Sequence, residues 1–202
     1  MQQSNASRPN KVRTETTKAA LKAAARELFL ERGFNDTGTP EIVKRANVTR
    51  GALYHHFADK KALFEEIIED ECAAVTAQID KRSMDELTAL DALKQGADAF
   101  IEAMASEGRT KLILIEAPNI LGRDKLLDIE ERHTRRSLKV GVSEAMKAGQ
   151  LMPLPFDALI EILSSIFDSA ALNIEAGMPP DDITRLVHGI IDGLTKPASP
   201  AS

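Results

Sequence analysis

Hydrophobic residues recur along most of this chain at the three- and four-residue spacing of a helix face. In the first such segment, positions i, i+3, i+4, i+7 and i+8 are held by Leu21, Ala24, Ala25, Leu28 and Phe29. The same spacing, interrupted by glycine and proline, predicts nine helices, at about 11–32, 40–46, 50–57, 60–81, 85–106, 109–117, 123–148, 156–176 and 180–195. No stretch alternates with period two for long, so we expect an all-α fold after a disordered leader at residues 1–10.

The two shortest predicted helices, 40–46 and 50–57, are separated by a tight turn. Thr39 can cap the first of them, with Pro40 at the first helical position, where the missing N–H of proline has no cost. Asn47 tolerates the left-handed backbone that a sharp turn needs. Thr49 can cap the second helix and, with the free N–H groups there, bind a phosphate. Together with the preceding helix, this is the pattern of a helix-turn-helix.

The second helix of such a motif enters the major groove of DNA, and the residues here suit that position. Arg50 projects from the first turn and can reach guanine O6 and N7 or a phosphate. Gly51 and Ala52 are small, so the backbone can approach the DNA closely. Tyr54 and His55 can donate hydrogen bonds to phosphate oxygens on the flank.

Composition agrees with a helical protein from a reducing compartment. Aromatic residues make up only 4% of the chain, which favours helices over a β-sandwich. Cys72 is the only cysteine, so no internal disulfide can form. The first residues lack the apolar core of a signal peptide, and no apolar run approaches the roughly 18 residues of a membrane helix. We therefore expect a cytoplasmic protein with no membrane partner.

Charge is distributed unevenly along the chain. Residues 1–60 contain 11 Lys and Arg against 6 Asp and Glu, a net charge of +5, whereas residues 61–202 contain 15 against 25, a net charge of −10. A basic head on an acidic body indicates that the head meets a polyanion, although surface charge also varies this much by chance. We predict two domains: a DNA-binding helix-turn-helix domain at 1–60 and a helical body at 61–202.

The segment "GFNDTGTPEIVKRANVTRGALYHHFADKKALF" also carries a family resemblance. It resembles the N-terminal DNA-binding segment of TetR-type transcriptional repressors over roughly residues 17–70. The most specific part is the pattern G-x-L-Y-x-H-F at 51–57, followed by a short joint and Lys60. The resemblance implies a homodimeric regulator, by default a repressor, that binds a near-palindromic double-stranded DNA operator and is released by an unknown small-molecule effector.

The resemblance also implies DNA contacts for particular residues. Six of them occupy the contacting places: Thr49, Arg50, Ala52, Tyr54, His55 and Lys60. Of these, Lys60 opens the fourth helix and pairs with a phosphate. The family usually has consecutive threonines before the second helix, where this chain has Thr37-Gly38-Thr39-Pro40. Either Thr37 or Thr39 is therefore the threonine that caps that helix and meets phosphate.

The last two predicted helices have the pattern of a helix-pairing surface. The terminal helix carries a continuous apolar stripe, made of Ile183, Leu186, Val187, Ile190, Ile191 and Leu194. In the preceding helix, Ser165 and Ser169 are small enough for close packing. Two such helices can pair with their symmetry mates as a four-helix bundle, which predicts a homodimer interface; the alternative is that both stripes pack only within their own subunit.

Candidate residues for an effector pocket lie in the predicted body. They are Phe100, Met104, Leu112, Ile115, His133 and Phe167. Alternatively, the apolar members are ordinary helix-packing core, and His133, in a charged stretch, forms salt bridges on a solvated face. Cys72 lies on the apolar side of its helix, which predicts a buried and inert thiol.

Neither catalysis nor metal binding is predicted. His55 and His56 are adjacent, but neighbours on a helix point about 100° apart, so the pair alone does not make a zinc site. The chain has no glycine-rich phosphate loop and no nucleophile elbow. We expect no enzyme activity and no cofactor. Two alternatives to a DNA-binding regulator are a helical small-molecule or protein-binding module whose head does not bind DNA, and a helical enzyme.

Overall fold

The computed structural model describes residues 7–82 and 88–195, and these confirm the all-α fold. They form ten α-helices: α1 Ser7–Arg32, α2 Thr39–Arg45, α3 Arg50–His56, α4 Lys60–Asp80, α5 Ala89–Met104, α6 Ala117–Leu121, α7 Arg123–Arg132, α8 Thr134–Lys147, α9 Phe156–Glu175 and α10 Pro180–Gly193. A π-helical turn, Lys111–Glu116, runs directly into α6. The described ranges contain no β-strand, only an isolated antiparallel bridge between Leu151 and Thr195.

Helices α1, α2 and α3 form a head that packs against the first turns of α4. The phenyl rings of Phe29, Phe34 and Phe64 stack with centroids 5.3 to 5.5 Å apart, and they join α1 and the loop after it to α4. Ile42 and Leu53 bury their side chains completely and attach α2 and α3 to this centre. Burying a side chain of this size contributes about 1.5 to 3 kcal/mol each, so the head is held by a dense apolar core.

Helix α4 continues from the head into the body, where it packs against α5 and α8. Helices α9 and α10 pack against each other and against α5 on the other side. One apolar core of buried residues runs through head and body. No helix in the described part of the chain is both long and apolar enough to cross a bilayer.

The structure corrects several predicted boundaries. Helix α1 begins at Ser7, so residues 7–10 of the predicted leader are helical, while residues 1–6 lie outside the described residues. The helix predicted at 123–148 is two helices, because His133 has φ −122° and ψ −103° and interrupts it. The helix predicted at 85–106 begins at Ala89 after its cap Thr88, and residues 85–87 lie outside the described part.

The helix predicted at 109–117 is wrong in type and length. It is a π-helical turn that leads into α6, and the helix continues past Pro118 to Leu121. Pro118 is the second residue of α6 and has no N–H to donate to a carbonyl of the π-helical turn, whereas Ala117 before it still bonds the carbonyl of Leu112.

Candidate nucleic-acid interface and ligand cavity

The turn between α2 and α3 fixes the direction of α3. Asn47 has φ 52°, in the left-handed region that asparagine tolerates better than most residues. The next residue, Val48, donates its N–H to the carbonyl of Val43 at 3.0 Å. Thr49 then caps α3, as predicted: its Oγ1 accepts a hydrogen bond from the N–H of Ala52 at 3.2 Å. Two short helices held by a four-residue turn make a helix-turn-helix.

Helix α3 has one buried face and one exposed face. Leu53 and Phe57 are at most 2% exposed and hold the helix on the core. Arg50, Tyr54 and His55 are exposed on the other face, together with Gly51 and Thr49, and Ala52 is half-buried between the two. The polar residues that were predicted to meet DNA therefore lie on one accessible surface, which we call the α3 face.

Tyr54 is held in position by a residue of α3 and a residue of α2. The Arg50 guanidinium carbon lies 5.5 Å from the centroid of the Tyr54 ring, within the range of a cation–π contact. The Tyr54 hydroxyl is 3.5 Å from Thr39 Oγ1. The hydrogen bond with Thr39 and the nearby Arg50 both lower the pKa of Tyr54. Thr39, Tyr54 and Arg50 thus place hydrogen-bonding groups along one edge of the α3 face.

Thr39 does not cap α2, which corrects the prediction. The cap residue is Gly38, whose N–H donates to the Glu41 carboxylate at 3.2 Å. Thr39 is the first residue of the helix and Pro40 the second. Because Glu41 supplies the carboxylate that bonds at the helix start, the Thr39 hydroxyl is left available to Tyr54.

Thr37 lies inside the head, which corrects its predicted DNA contact, whereas Lys60 is half-buried and its phosphate contact stays a prediction. Thr37 is fully buried, and its Oγ1 bonds to the carbonyls of Gly33 at 2.8 Å and Leu28 at 3.2 Å. The Lys60 ammonium donates to the carbonyls of Phe34 at 2.6 Å and Thr37 at 2.8 Å. It also lies 4.2 Å from the Phe34 ring centroid, and burial holds its pKa below the ordinary value. Both residues fasten the loop between α1 and α2 to α4.

Most basic side chains of the head are neutralised within the chain. They form ion pairs with carboxylates: Lys18 with Glu66, Lys22 with Asp70, Arg26 with Glu71, Arg32 with Glu41, and Arg45 with Glu31. Among the described residues 13–60, the cationic side chains with no carboxylate or carbonyl partner are Arg13, Lys44 and Arg50. The positive charge that the described head offers to a polyanion is therefore concentrated in these three residues.

The described residues offer no group of histidine, cysteine and carboxylate side chains that could hold a metal ion. His55 is exposed and His56 half-buried. Asp59, the nearest carboxylate along the chain, caps α4 by accepting the N–H of Ala62 at 2.7 Å. Cys72 is buried, as predicted, and burial raises its pKa to about 12, so this thiol is inert at neutral pH.

The body contains a cavity of about 510 Å³ between α4, α5 and α8. Two of the six predicted lining residues reach it, Phe100 of α5 and Phe167 of α9, whose ring centroids are 6.0 Å apart. Thr76 and Ile79, near the end of α4, form part of its wall. The remaining polar lining includes Thr134, Arg136 and Glu144, which no pattern in the sequence marks as pocket residues.

The other four predicted lining residues lie elsewhere, which corrects the prediction for them. Met104 and Leu112 are core residues with at most 1% exposure, and Ile115 is 46% exposed at the surface. A helix of 3.6 residues per turn would bring Leu112 and Ile115 to one face, but the wider π-helical turn separates them. His133 instead bonds Glu69, with Nε2 3.0 Å from Oε1, so the salt-bridge alternative describes it.

Helices α9 and α10 present an apolar groove to the exterior. The groove is lined by Ile162, Ser165, Ile166, Ser169, Ala170, Asn173, Ile183, Leu186, Val187 and Ile190. Ile162 and Leu186 are each 61% exposed, which is unusual for large aliphatic side chains. Six of the eight predicted interface residues line this groove. The other two do not: Ile191 is fully buried in its own subunit, and Leu194 is half-buried where its carbonyl accepts the N–H of Met152 at 2.9 Å.

Comparison with known proteins gives matches over both parts of the chain. A family model for bacterial regulatory proteins of the tetR family matches residues 21–67, and one for the tetracyclin repressor-like C-terminal domain matches residues 90–194. The transposon Tn10 TetC protein of Escherichia coli is 26% identical over 159 residues, which cover 79% of this chain and 80% of that protein. The HTH-type transcriptional repressor BepR of Brucella suis is 34% identical over 112 residues, 52% of this chain and 51% of BepR.

Solved structures show the same fold. The crystal structure of a TetR-family transcriptional regulator from Pectobacterium atrosepticum is similar with a TM-score of 0.66 and 26% sequence identity. The similarity covers 93% of this chain and 98% of that one.

Proposed function

The chain belongs to the tetR family of bacterial transcription regulators, and we propose from this that it is a repressor that binds a near-palindromic operator as a homodimer and is released by a small molecule. It would act in the cytoplasm, with residues 1–60 as the DNA-binding domain and 61–202 as the effector-binding and dimerisation domain. The observation that carries the proposal is the α3 face, where Arg50, Tyr54 and His55 are exposed on a capped helix whose other side is fixed to the core.

Binding to DNA would place α3 in the major groove. Arg50 has no carboxylate partner, so its guanidinium can turn from the Tyr54 ring to a guanine or a phosphate without breaking an ion pair. The hydroxyls of Thr39 and Tyr54 and the ring of His55 would bond the phosphates at the groove edge. Ala52 would face the base edges as a small residue, and Thr49 would meet phosphate at the start of the helix.

Release by an effector would act through α4. This helix has 21 residues, and at about 1.5 Å per residue it is about 30 Å long. Its first residue, Lys60, holds the loop between α1 and α2, and Thr76 and Ile79 near its other end line the cavity. A molecule that enters the cavity and displaces the end of α4 would therefore move the head and change the separation of the two α3 helices in a dimer.

The groove on α9 and α10 would be the dimer interface. Its exposed Ile162 and Leu186 and its small Ser165 and Ser169 suit close packing of helices against the same helices of a second copy. A two-fold dimer presents two α3 helices to two half-sites, which lie about 34–36 Å or a multiple of that apart on the same face of DNA.

The proposal is tested by gel-shift and fluorescence anisotropy with the promoter next to the gene. We expect Arg50→Ala to weaken operator binding by about 5- to 150-fold, because a good bidentate contact to a base contributes about 1–3 kcal/mol. Tyr54→Phe should weaken it less, through loss of one hydroxyl. A matched control is Arg185→Ala, which removes an exposed arginine on α10, where it pairs with Asp182; it should bind like the parent.

Salt dependence separates the proposal from a module that does not use DNA. Phosphate contacts release counterions, so operator affinity should fall steeply as the salt concentration rises. A flat salt dependence, or parent-like binding by both Arg50→Ala and Tyr54→Phe, would contradict the assignment of α3 as the recognition helix. Circular dichroism of each variant shows that it is folded before its affinity is compared.

A further inference from the structure

The cavity in the body has a side pocket of about 30 Å³ with an unusual lining. Phe100, Thr134, Leu138 and Phe167 line both spaces and form their common wall. The side pocket adds Glu130 of α7, Arg135 of α8, and Ser164 and Asp168 of α9. A molecule in the main cavity would therefore lie against two aromatic rings, with two carboxyl groups beyond them.

These two carboxyl groups have no cation of their own. In the described part of the chain, neither Glu130 nor Asp168 forms an ion pair within 4.0 Å or a hydrogen bond, although most other acidic residues near α7 and α8 do. The nearest guanidinium is that of Arg135, which is only 7% exposed and is already bound to Glu131 and Glu161. Two negative charges thus face one cation that is shared with two other carboxylates.

The surroundings raise the pKa of both carboxyl groups. Burial, together with the nearby charge of Asp168, raises the pKa of Glu130 to about 7. Burial likewise raises the pKa of Asp168 to about 6, against the opposing effect of Arg135. A carboxyl group that is hard to ionise next to a cavity would be stabilised as an anion by a positive charge entering that cavity.

We propose that the effector of this regulator is an organic cation with an aromatic or bulky apolar part, which fills the main cavity against Phe100 and Phe167 with its positive charge toward Glu130 and Asp168. This inference rests on the proposed role of the cavity as the effector site. The aromatic pair adds to the recognition, because the faces of phenyl rings attract cations.

Other charged groups near the site do not favour an anion instead. On the wall of the main cavity, Arg132 is paired with Asp128 and Glu69, and Glu144 with Lys147. Arg136 is exposed, so water already solvates its charge. The pKa of Glu130 is lowered by the charges of Arg135 of α8 and Arg123 of α7 and raised by that of Glu131 of α7. Cys72 of α4 lies close enough for the charge of Glu130 to raise the pKa of its thiol. The buried end of the cavity therefore holds one positive group, Arg135, which is already paired with Glu131 and Glu161, and two carboxyl groups without an ion pair.

Calorimetry with two ions of the same shape and opposite charge tests the proposal. Tetraphenylphosphonium should bind the intact protein and tetraphenylborate should bind at least tenfold more weakly, with benzyltrimethylammonium as a smaller cation. The double variant Glu130→Gln, Asp168→Asn should lose at least tenfold in affinity for the cations. The double variant Glu65→Gln, Asp70→Asn removes two carboxylates that pair with Lys125 and Lys22 and line neither space; it is the matched control and should bind like the parent.

A pH series gives a readout that a change of cavity shape would not produce. Cation binding favours the ionised carboxyl groups, so affinity should rise between pH 5.5 and pH 8 and binding at pH 6.5 should release protons to the buffer. Both effects should disappear in the double variant. Equal binding of the two tetraphenyl ions, no binding of either cation, or unchanged cation binding by the double variant would overturn the proposal.

The two proposals fail in different ways. Binding of the cations is measured without DNA, and binding of the operator is measured without ligand. If the cations bind through Glu130 and Asp168 but the protein does not bind its promoter, the cation site stands and the repressor proposal fails. If the operator binds and tetraphenylphosphonium neither binds nor releases it, the repressor proposal stands and the cation effector is wrong.

Discussion

At the scale of single residues, Gly51 lies exposed in the first turn of α3, where the proposed DNA interface is closest to the backbone. A Cβ at this position would meet nothing nearer than Thr49 Oγ1 at 3.9 Å. The fold therefore has room for a side chain here, and replacing glycine in a helix by a better helix former stabilises by roughly 0.5–1 kcal/mol. The DNA complex would not have that room, because the new side chain would stand between α3 and the base edges.

We therefore expect Gly51→Leu to melt at the same or a higher temperature than the parent while its operator affinity falls at least about tenfold. Thermal unfolding followed by circular dichroism and fluorescence anisotropy with labelled operator measure the two quantities. Gly189→Leu on α10 is the control for the substitution itself, because Gly189 is exposed, does not line the groove, and an added Cβ there also meets nothing within 4 Å. Parent-like operator binding by Gly51→Leu would show that α3 does not approach DNA by this turn.

The residues of the head also show where prediction from sequence reaches its limit. The cap at Thr49 and the left-handed Asn47 were predictable, because each follows from local backbone chemistry. The hydrogen-bond partners of Thr37 and Lys60 were not predictable, because a hydroxyl or an ammonium group bonds a phosphate and a carbonyl of its own chain equally well. Only the folded loop between α1 and α2 shows that carbonyls at 2.6 to 3.2 Å already occupy them.

At the scale of helices, one buried carboxylate joins the head to the body. Glu71 of α4 accepts Arg26 Nε of α1 at 2.6 Å and Arg109 Nε at 2.7 Å, one on each oxygen. Arg26 also donates to the carbonyl of Glu107 after α5 at 2.8 Å, and Arg109 donates to the carbonyl of Ala103 in the last turn of α5. Lys111 adds a bond of 3.2 Å to the carbonyl of Leu30 at the end of α1. The head is thus tied to α4 and to the π-helical region together.

Removing Glu71 should be costly because it leaves two guanidinium groups without their anion. We expect Glu71→Gln to lower the free energy of unfolding by about 3 kcal/mol, the scale for breaking a buried ion pair from one side. Urea unfolding measures the change. Glu66→Gln removes the partner of Lys18 at 37% side-chain exposure and should cost less than about 1 kcal/mol. Equal effects of the two variants would mean that the Glu71 bridge is no stronger than a surface pair.

Prediction of the helices succeeded where glycine, proline or caps mark their ends, as for α2, α3, α4, α9 and α10. It failed between α7 and α8, because "EERHTRR" contains no glycine or proline, Thr134 is helical and does not cap α8, and the helical spacing continues through His133. It also failed at the π-helical turn, because apolar spacing read with 3.6 residues per turn assigns Leu112 and Ile115 to one side. The spacing of apolar residues indicates an α-helix of 3.6 residues per turn, and it does not show where the number of residues per turn changes locally.

At the scale of the whole molecule, the proposed DNA interface, effector cavity and dimer groove lie at different positions along helices that contact one another. The α3 face is held by α4, α4 reaches the cavity, and the cavity is closed by Phe167 of α9, whose outer side forms the groove. A dimer built on α9 would therefore fix one wall of the cavity, so that an entering ligand would displace α4 more readily than α9. This arrangement requires that the groove be covered by a second copy.

We expect the parent protein to sediment as a dimer at micromolar concentration and Leu186→Asp to sediment as a monomer. Leu186 is 61% exposed in the single subunit, so the aspartate is solvated in the monomer and would be buried without a partner in the dimer, which is unfavourable. Ile115→Asp makes the same kind of change at a residue that is 46% exposed outside the groove, and it should remain dimeric.

Operator binding links this result to function. A monomer contacts one half-site and loses the effective concentration that a dimer supplies for the second, so Leu186→Asp should bind the full operator at least about a hundredfold more weakly. It should bind a single half-site like the parent, because its α3 face is unchanged. A monomeric parent, or a Leu186→Asp variant that stays dimeric with full operator affinity, would show that the groove on α9 and α10 does not pair the two subunits and that the spacing of the α3 helices is set by another surface.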